Sequence, residues 1–222
     1  KFGVANSGLL CFAVSNSLIV IRKIYNMNYF LQITSRPNYP LILDESQNPH
    51  IPLKLGSDLN LGNYIHEYIS SPLVYRDAEN STVSFDRLIT YDVLNTVYGG
   101  QVVSERIRRV IEEHFPNEVQ FFDAIFYYKG KMCNSYSAMN IHNHIECYDM
   151  EKSIYSISPV DKSSEFEKRT LIASPLEEYG INYNIVRCSF DNQIVVSEMF
   201  RKVIKANKFN CMSFAKELEI YY

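Results

Sequence analysis

Two groups of residues in this 222-residue chain have the type and spacing to do chemistry. The first is the run His142-Asn143-His144-Ile145-Glu146. On a β-strand, side chains alternate between faces, so His142, His144 and Glu146 would project from one side. Two imidazoles and a carboxylate are ordinary zinc ligands, and a fourth ligand from elsewhere would complete a tetrahedral site. The same spacing also describes a polar strand facing solvent. No matching second half of a metal site is visible, so the expectation is no bound metal and no cofactor, with these three residues as the only candidates. The letters H-N-H carry no weight, because a nuclease of that type disperses the three residues over a metal-binding fold.

The second group is a doubled Ser-Glu. Val102–Phe121 reads VVSERIRRVIEEHFPNEVQF and Val195–Phe214 reads VVSEMFRKVIKANKFNCMSF. Nine of the twenty aligned positions are identical, among them Ser104/Ser197, Glu105/Glu198 and Arg108/Arg201. A repeated Ser-Glu could be a catalytic pair. Helix capping explains both residue types more simply: the hydroxyl satisfies an orphan N–H, and the carboxylate meets the positive end of the helix dipole. Cys133, Cys147 and Cys188 could supply a nucleophile with His142 or His144 as base, but buried structural thiols are the favoured reading. The chain has no P-loop, G-x-G-x-x-G, G-x-S-x-G or H-E-x-x-H, and only 8 Gly to cradle a phosphate. The balance favours a binding protein, with no catalytic residue assigned.

Composition narrows the class further. A net charge of −3 gives no basic footprint for nucleic acid or an anionic membrane. The 5 Cys are odd in number and form no CxxC, which points to free thiols in a reducing compartment, the cytoplasm. The 17 Tyr and 13 Phe, with no Trp, suit strands and also recognition surfaces.

The elements that must position these residues follow from pattern. In each repeat a β-branched pair precedes the capping Ser. Ile107, Val110, Ile111 and His114, and likewise Phe200, Val203, Ile204 and Asn207, recur at helical spacing. Pro116 ends the first helix, and apolar strand residues follow in both copies. The unit is strand, short helix, strand. Between the copies, Val119–Tyr128 is extended, Lys129-Gly130-Lys131 turns, and Tyr136–Tyr148 reads as a returning strand carrying the histidines. Asp149–Ser153 closes that strand and 158–164 is polar loop. Arg169–Ile172 and Tyr183–Phe190 are strands, with Asp191-Asn192 a turn. Before the repeats, Tyr29–Ile33 is strand-like, whereas Thr34–Leu61 holds four prolines and reads as irregular chain. The fold class is α+β: a mostly antiparallel sheet with a few short helices and two similar strand-helix-strand units.

Gly8–Ile21 is apolar but only about 14 residues long, short of the roughly 18–20 a spanning helix needs. Its charges come mainly after it rather than before, unlike a signal peptide. Residues 1–26 therefore read as a leader upstream of a start at Met27, with a buried strand or helix and a weak membrane anchor as the alternatives. A soft boundary falls near residue 95, between a loop-rich part, 27–95, and a more regular one, 96–222.

The second part resembles the immunity protein 11 family of bacterial polymorphic toxin systems. The likeness rests on Val102–Glu105, Val119–Phe122, Asp149 with Ser153, Val195–Glu198 and the terminal Phe214. It covers roughly residues 96–214 and extends less closely over 27–95, beginning at Met27–Ile33. Ser104, Glu105, Asp149, Ser153, Ser197 and Glu198 are its marker residues. Where the family pattern leads one to expect a Gly cap before the last Phe, this chain has Phe209-Asn210, and Asn also tolerates the left-handed conformation. The resemblance implies a non-catalytic protein that binds a cognate toxin in the cytoplasm and blocks its active site or the approach of substrate. A slightly acidic, Tyr-rich protein would suit a basic toxin face such as a nuclease's. The alternative is a small metal-dependent enzyme using the His142/His144/Glu146 face. A membrane partner enters only if residues 8–21 act as an anchor.

Overall fold

In a computed structural model of the chain, the described residues are 27–33, 42–43, 53–66, 72–77, 82–96 and 100–219. The apolar run at 8–21, the proposed leader and most of the proline-rich stretch lie outside them. In chain order the strands and helices are β1 (Asn28–Ile33), β2 (Ile42–Leu43), α1 (Leu53–Leu61), β3 (Leu73–Asp77), α2 (Phe85–Leu88), β4 (Val93–Asn95), β5 (Gln101–Ser104), α3 (Glu105–His114), β6 (Val119–Tyr128) and β7 (Lys131–Ile141). There follow β8 (His144–Ile145), β9 (Ile154–Ile157), β10 (Ser164–Thr170), β11 (Leu176–Glu178), β12 (Ile181–Tyr183), β13 (Ile185–Cys188), β14 (Ile194–Ser197), α4 (Glu198–Ala206), β15 (Met212–Ala215) and β16 (Glu217–Glu219).

The α+β expectation holds. Among the described residues one sheet has the order β2-β3-β6-β7-β5-β4 and a second β15-β1-β14-β13-β8. Two smaller sheets, β16-β10-β9 and β11-β12, complete the set. Every pairing is antiparallel except β3 with β6 and β13 with β8. Local chemistry sets the turns. Lys129 and Gly130 both take positive φ, as do Tyr179 and Gly180. A two-residue loop with both centres left-handed matches the twist of the strands it joins. No helix among the described residues is long and apolar enough to cross a membrane.

The repeated Val-Val pairs are explained by three cores. Val102 enters a first core with Leu55 and Leu59 of α1, Leu88 of α2 and the Phe126 and Tyr136 rings. Val103 enters a second core on the opposite face of the same sheet. In the other copy Val196 enters that second core, and Val195 enters a third with Phe30, Tyr148, Phe166 and Leu176. Each strand is thus buried on both sides, so both positions must be apolar. All four valines have 0% exposure. Full burial of each is worth about 1.5–3 kcal/mol. The middle core is common property: Ile107 and Ile111 of α3 meet Phe200 and Ile204 of α4 there. Phe115 packs on Phe200 with ring centroids 5.2 Å apart.

The two units are also cross-linked at equivalent points. Each capping serine donates its backbone N–H to the residue that opens its own hairpin, Ser104 to the Asp92 carbonyl at 2.8 Å and Ser197 to the Asn184 carbonyl at 2.9 Å. Asp92 is then clasped by Asn210, which follows the other unit's helix: the Asp92 N–H donates to Asn210 Oδ1 and the Asn210 N–H to Asp92 Oδ2, both at 2.9 Å. Asn184 is clasped in turn by Glu118, which follows the first unit's helix. The pattern is that of an approximate two-fold.

The structure corrects two expectations. Residues 53–61, read as irregular, form α1, because Leu55 and Leu59 at helical spacing find the first core. Tyr136–Tyr148 is not one strand. β7 stops at Ile141, and the chain crosses to the other sheet, where His144 and Ile145 pair in parallel with β13. Changing sheets bends the backbone and ends the two-residue alternation on which the His142/His144/Glu146 face depended.

Candidate functional site

Both Ser-Glu motifs open helices. Ser104 Oγ accepts from the Ile107 N–H at 3.4 Å and donates to Asp92 Oδ1 at 3.1 Å. Ser197 Oγ accepts from the Phe200 N–H at 3.1 Å and donates to Asn184 Oδ1 at 2.8 Å. Each hydroxyl has its donor and acceptor engaged in capping. Glu105 pairs with Arg109 across one exposed turn at 3.3 Å. Glu198 is 4% exposed and is held by Arg201 through two hydrogen bonds of 2.7 and 2.8 Å. That contact holds the Glu198 carboxyl below its ordinary pKa, against the opposing effect of burial.

His142 and His144 each meet other partners. His144 turns both ring nitrogens to carbonyls, Nδ1 to His142 at 3.2 Å and Nε2 to Leu61 at 3.0 Å. The His142 ring stands edge-on to Tyr64 at 4.9 Å, and burial lowers its pKa. Glu146 is exposed. Among the described residues no group of three or more His, Cys, Asp or Glu is arranged to hold a metal ion. Cys147 and Cys188 are fully buried in the third core. Their mutual hydrogen bond raises the Cys147 thiol and lowers that of Cys188, and both sulfurs stay enclosed in the core. Cys133 is buried beside Ser135 Oγ.

Asp149 and Ser153 have a positional role. The Ser153 N–H donates to the Asp149 carbonyl at 2.9 Å, closing one turn. Ser153 Oγ then accepts from the Thr170 N–H at 3.0 Å. This turn sets the next residue, Ile154, against the end of β10 and so launches β9. The small sheet is tied down by Asp191, which accepts from Arg169 Nε and from the Tyr148 hydroxyl, each at 2.6 Å. The Tyr148 hydroxyl is raised well above its ordinary pKa, chiefly by burial and then by that carboxylate.

What this anchoring presents outward is apolar. All four residues of β9 are exposed, with Ile154 and Ile157 at 54% each and Tyr155 at 39%. Val160 follows at 91%. Across the same third core, the β11–β12 hairpin carries Tyr179 at its tip, 92% exposed with φ of 51°, and Ile181 at 54%. A side chain with a Cβ in the left-handed region costs on the order of 1 kcal/mol, so the tyrosine is held at the tip at a conformational cost. Acidic side chains surround these residues: Glu165, Glu167, Glu177 and Glu178 are exposed. Of the basic neighbours, Lys168 pairs with Glu217 at 3.2 Å and Arg169 with Asp191, while Lys162 stands exposed in the β9–β10 turn. Ile154, Tyr155 and Ile157 on β9 and Tyr179 and Ile181 on the β11–β12 hairpin are thus exposed apolar side chains with exposed glutamates at neighbouring positions. Sequence reading assigned β9 to no element, although Ile-Tyr-Ser-Ile has the composition of a strand.

A family profile described as Immunity protein family (Imm11) matches residues 36–218. No curated protein matches the chain.

Proposed function

The chain belongs to the Imm11 immunity protein family, and from that premise we propose that it binds and neutralises a cognate bacterial toxin without catalysing a reaction. The observation that carries this reading is the family membership itself, spanning most of the chain. The exposed apolar residues of β9 and, separately, of the β11–β12 hairpin support it by supplying Tyr-bearing surface beside acidic side chains. Tyrosine anchors of this kind dominate protein interfaces because they bury large area at low entropy cost. Acidic rims steer and orient a basic partner, so the toxin face that fits is basic, as around a site that handles phosphates. Blocking follows from occupancy: a protein seated over such a face excludes substrate. Among the described residues four cysteines stand without a disulfide, three of them buried, which fits action in the cytoplasm.

The test is protection. The toxin encoded beside this chain's gene is co-expressed with it, and the purified pair is titrated. Growth is restored and a one-to-one complex forms if the reading holds. Toxicity unchanged by the chain, with no complex, sinks it.

A further inference from the structure

Building on that reading, we infer that the toxin is captured by strand addition, an extended toxin segment pairing with the open edge of β9. Among the described residues β9 pairs only with β10. The register puts Ile157 opposite Ser164, Ser156 opposite Glu165 and Tyr155 opposite Phe166. The Ser158 N–H donates to the Ser163 carbonyl at 2.9 Å, which fixes the phase of the ladder. In an antiparallel pair, hydrogen-bonded and non-hydrogen-bonded positions alternate. Ser156 and Ser158 therefore direct their backbone groups to β10. Tyr155 and Ile157 direct theirs to the open edge, which leaves two N–H donors and two carbonyls aligned for an incoming strand.

Natural sheet edges are usually blunted by Lys, Pro or a bulge in the edge strand. β9 has no charge and no Pro, and the bulge of this pair lies on β10, between Phe166 and Lys168. The opposite edge of the same sheet, β16, reads Glu-Leu-Glu and is charged. The asymmetry marks β9 as the edge kept available. The side chains give the incoming segment its chemistry. Tyr155 shares a face with Phe166, ring centroids 5.5 Å apart, so apolar toxin residues fit beside Tyr155 and Ile157. On the other face Ser156 is small, and Glu165 lies next to it on β10. A strand added beside β9 would stand two strand spacings, about 10 Å, from β10. An Arg or Lys opposite Ser156 reaches over the serine to Glu165 at that distance. A second copy of this chain fits less well, because it would bring a second set of the same carboxylates to the edge. The occupant is an extended toxin segment alternating apolar and basic residues.

Two measurements on the full chain decide it, with the toxin from the adjoining gene as probe. Residue-resolved amide exchange should show Tyr155 and Ile157 exchanging freely in the unbound chain and slowing at least tenfold on toxin addition, with Ser156 and Ser158 slow throughout. Ile157→Pro removes an outward N–H while sparing the ladder to β10, and Ile157→Ala removes only side chain. Strand addition predicts that the proline variant binds at least tenfold more weakly than the alanine variant. Equal affinities for the two, or amides of Tyr155 and Ile157 already protected in the free chain, overturn strand addition but leave the immunity reading standing. Failure of the unmodified chain to bind the toxin removes both. Self-association through β9, seen as protection that grows with chain concentration alone, also overturns it.

Discussion

Glu105 and Glu198 hold the same position in the two repeated units, each the first helical residue behind a capping serine. Glu105 reaches across one exposed turn to Arg109. Glu198 is buried against Arg201, whose guanidinium also lies 4.6 Å from the centre of the Tyr29 ring. Arg108, the counterpart of Arg201, turns elsewhere, to Glu112 at 3.0 Å, Asp123 at 2.8 Å and Ser137 Oγ at 3.0 Å. The difference comes from the neighbours. The first helix lies on long β6 and β7, which offer Asp123 and Ser137. The second lies beside β1, which offers an aromatic ring and cover. The repeat therefore specifies backbone, cap and core face, and the surrounding sheet selects the charged partner.

The comparison can be broken at the cross-links between the units. Glu118 accepts from the Asn184 and Ile185 N–H groups and from Asn184 Nδ2, so Glu118→Ala strands several donors. The expected loss is about 3 kcal/mol in urea unfolding. Asn210→Ala, at the equivalent clasp, leaves its own backbone bond to Asp92 in place and should cost about 1–2 kcal/mol.

Next in size is the glutamate pair itself. Glu198→Ala leaves Arg201 without its bidentate partner and should cost about 2 kcal/mol. Glu105→Ala, on an exposed i,i+4 pair, should stay within about 0.5 kcal/mol. Acid sharpens the contrast. Arg201 depresses the Glu198 pKa in the folded state from its ordinary 4.5. The carboxylate thus contributes stability above pH 4.5, and that contribution fades as pH falls through the folded value. Glu198→Gln should therefore be less stable than the parent at pH 7, with the gap closing on acidification. The capping serines test the likeness rather than the difference: Ser104→Ala and Ser197→Ala should each cost about 1 kcal/mol in thermal unfolding.

The doubled unit was legible in the sequence because its signals are local. Valine pairs, a capping serine and helical spacing act within a few residues, and Lys129-Gly130 and Asp191-Asn192 announce their turns. The unequal surroundings of Glu105 and Glu198 were not legible, since they depend on which sheet each helix meets. Nor was the break after Ile141: the apolar alternation runs on through Ile145 and Cys147, and only the distant β13 diverts the chain. The helix at 53–61 was masked by Gly56 and flanking prolines, and it stands because Leu55 and Leu59 reach the first core. β9 escaped notice because it spans four residues between polar segments. Its place is fixed by Ser153 and Thr170, far apart in sequence, and exposure of its isoleucines is a property only the fold reveals.

On the proposed reading the molecule divides into a doubled scaffold and a toxin-docking surface on the segment between the copies. The most direct test is the affinity of the neighbouring gene's toxin for two folded variants. Ile154→Ser with Tyr179→Ala alters only exposed side chains of the docking surface, and Glu105→Ala with Arg109→Ala alters only an exposed pair on the scaffold. The account predicts at least a hundredfold loss for the first and parental affinity for the second. Parental affinity for the first, with loss for the second, would place the toxin on the scaffold and contradict it.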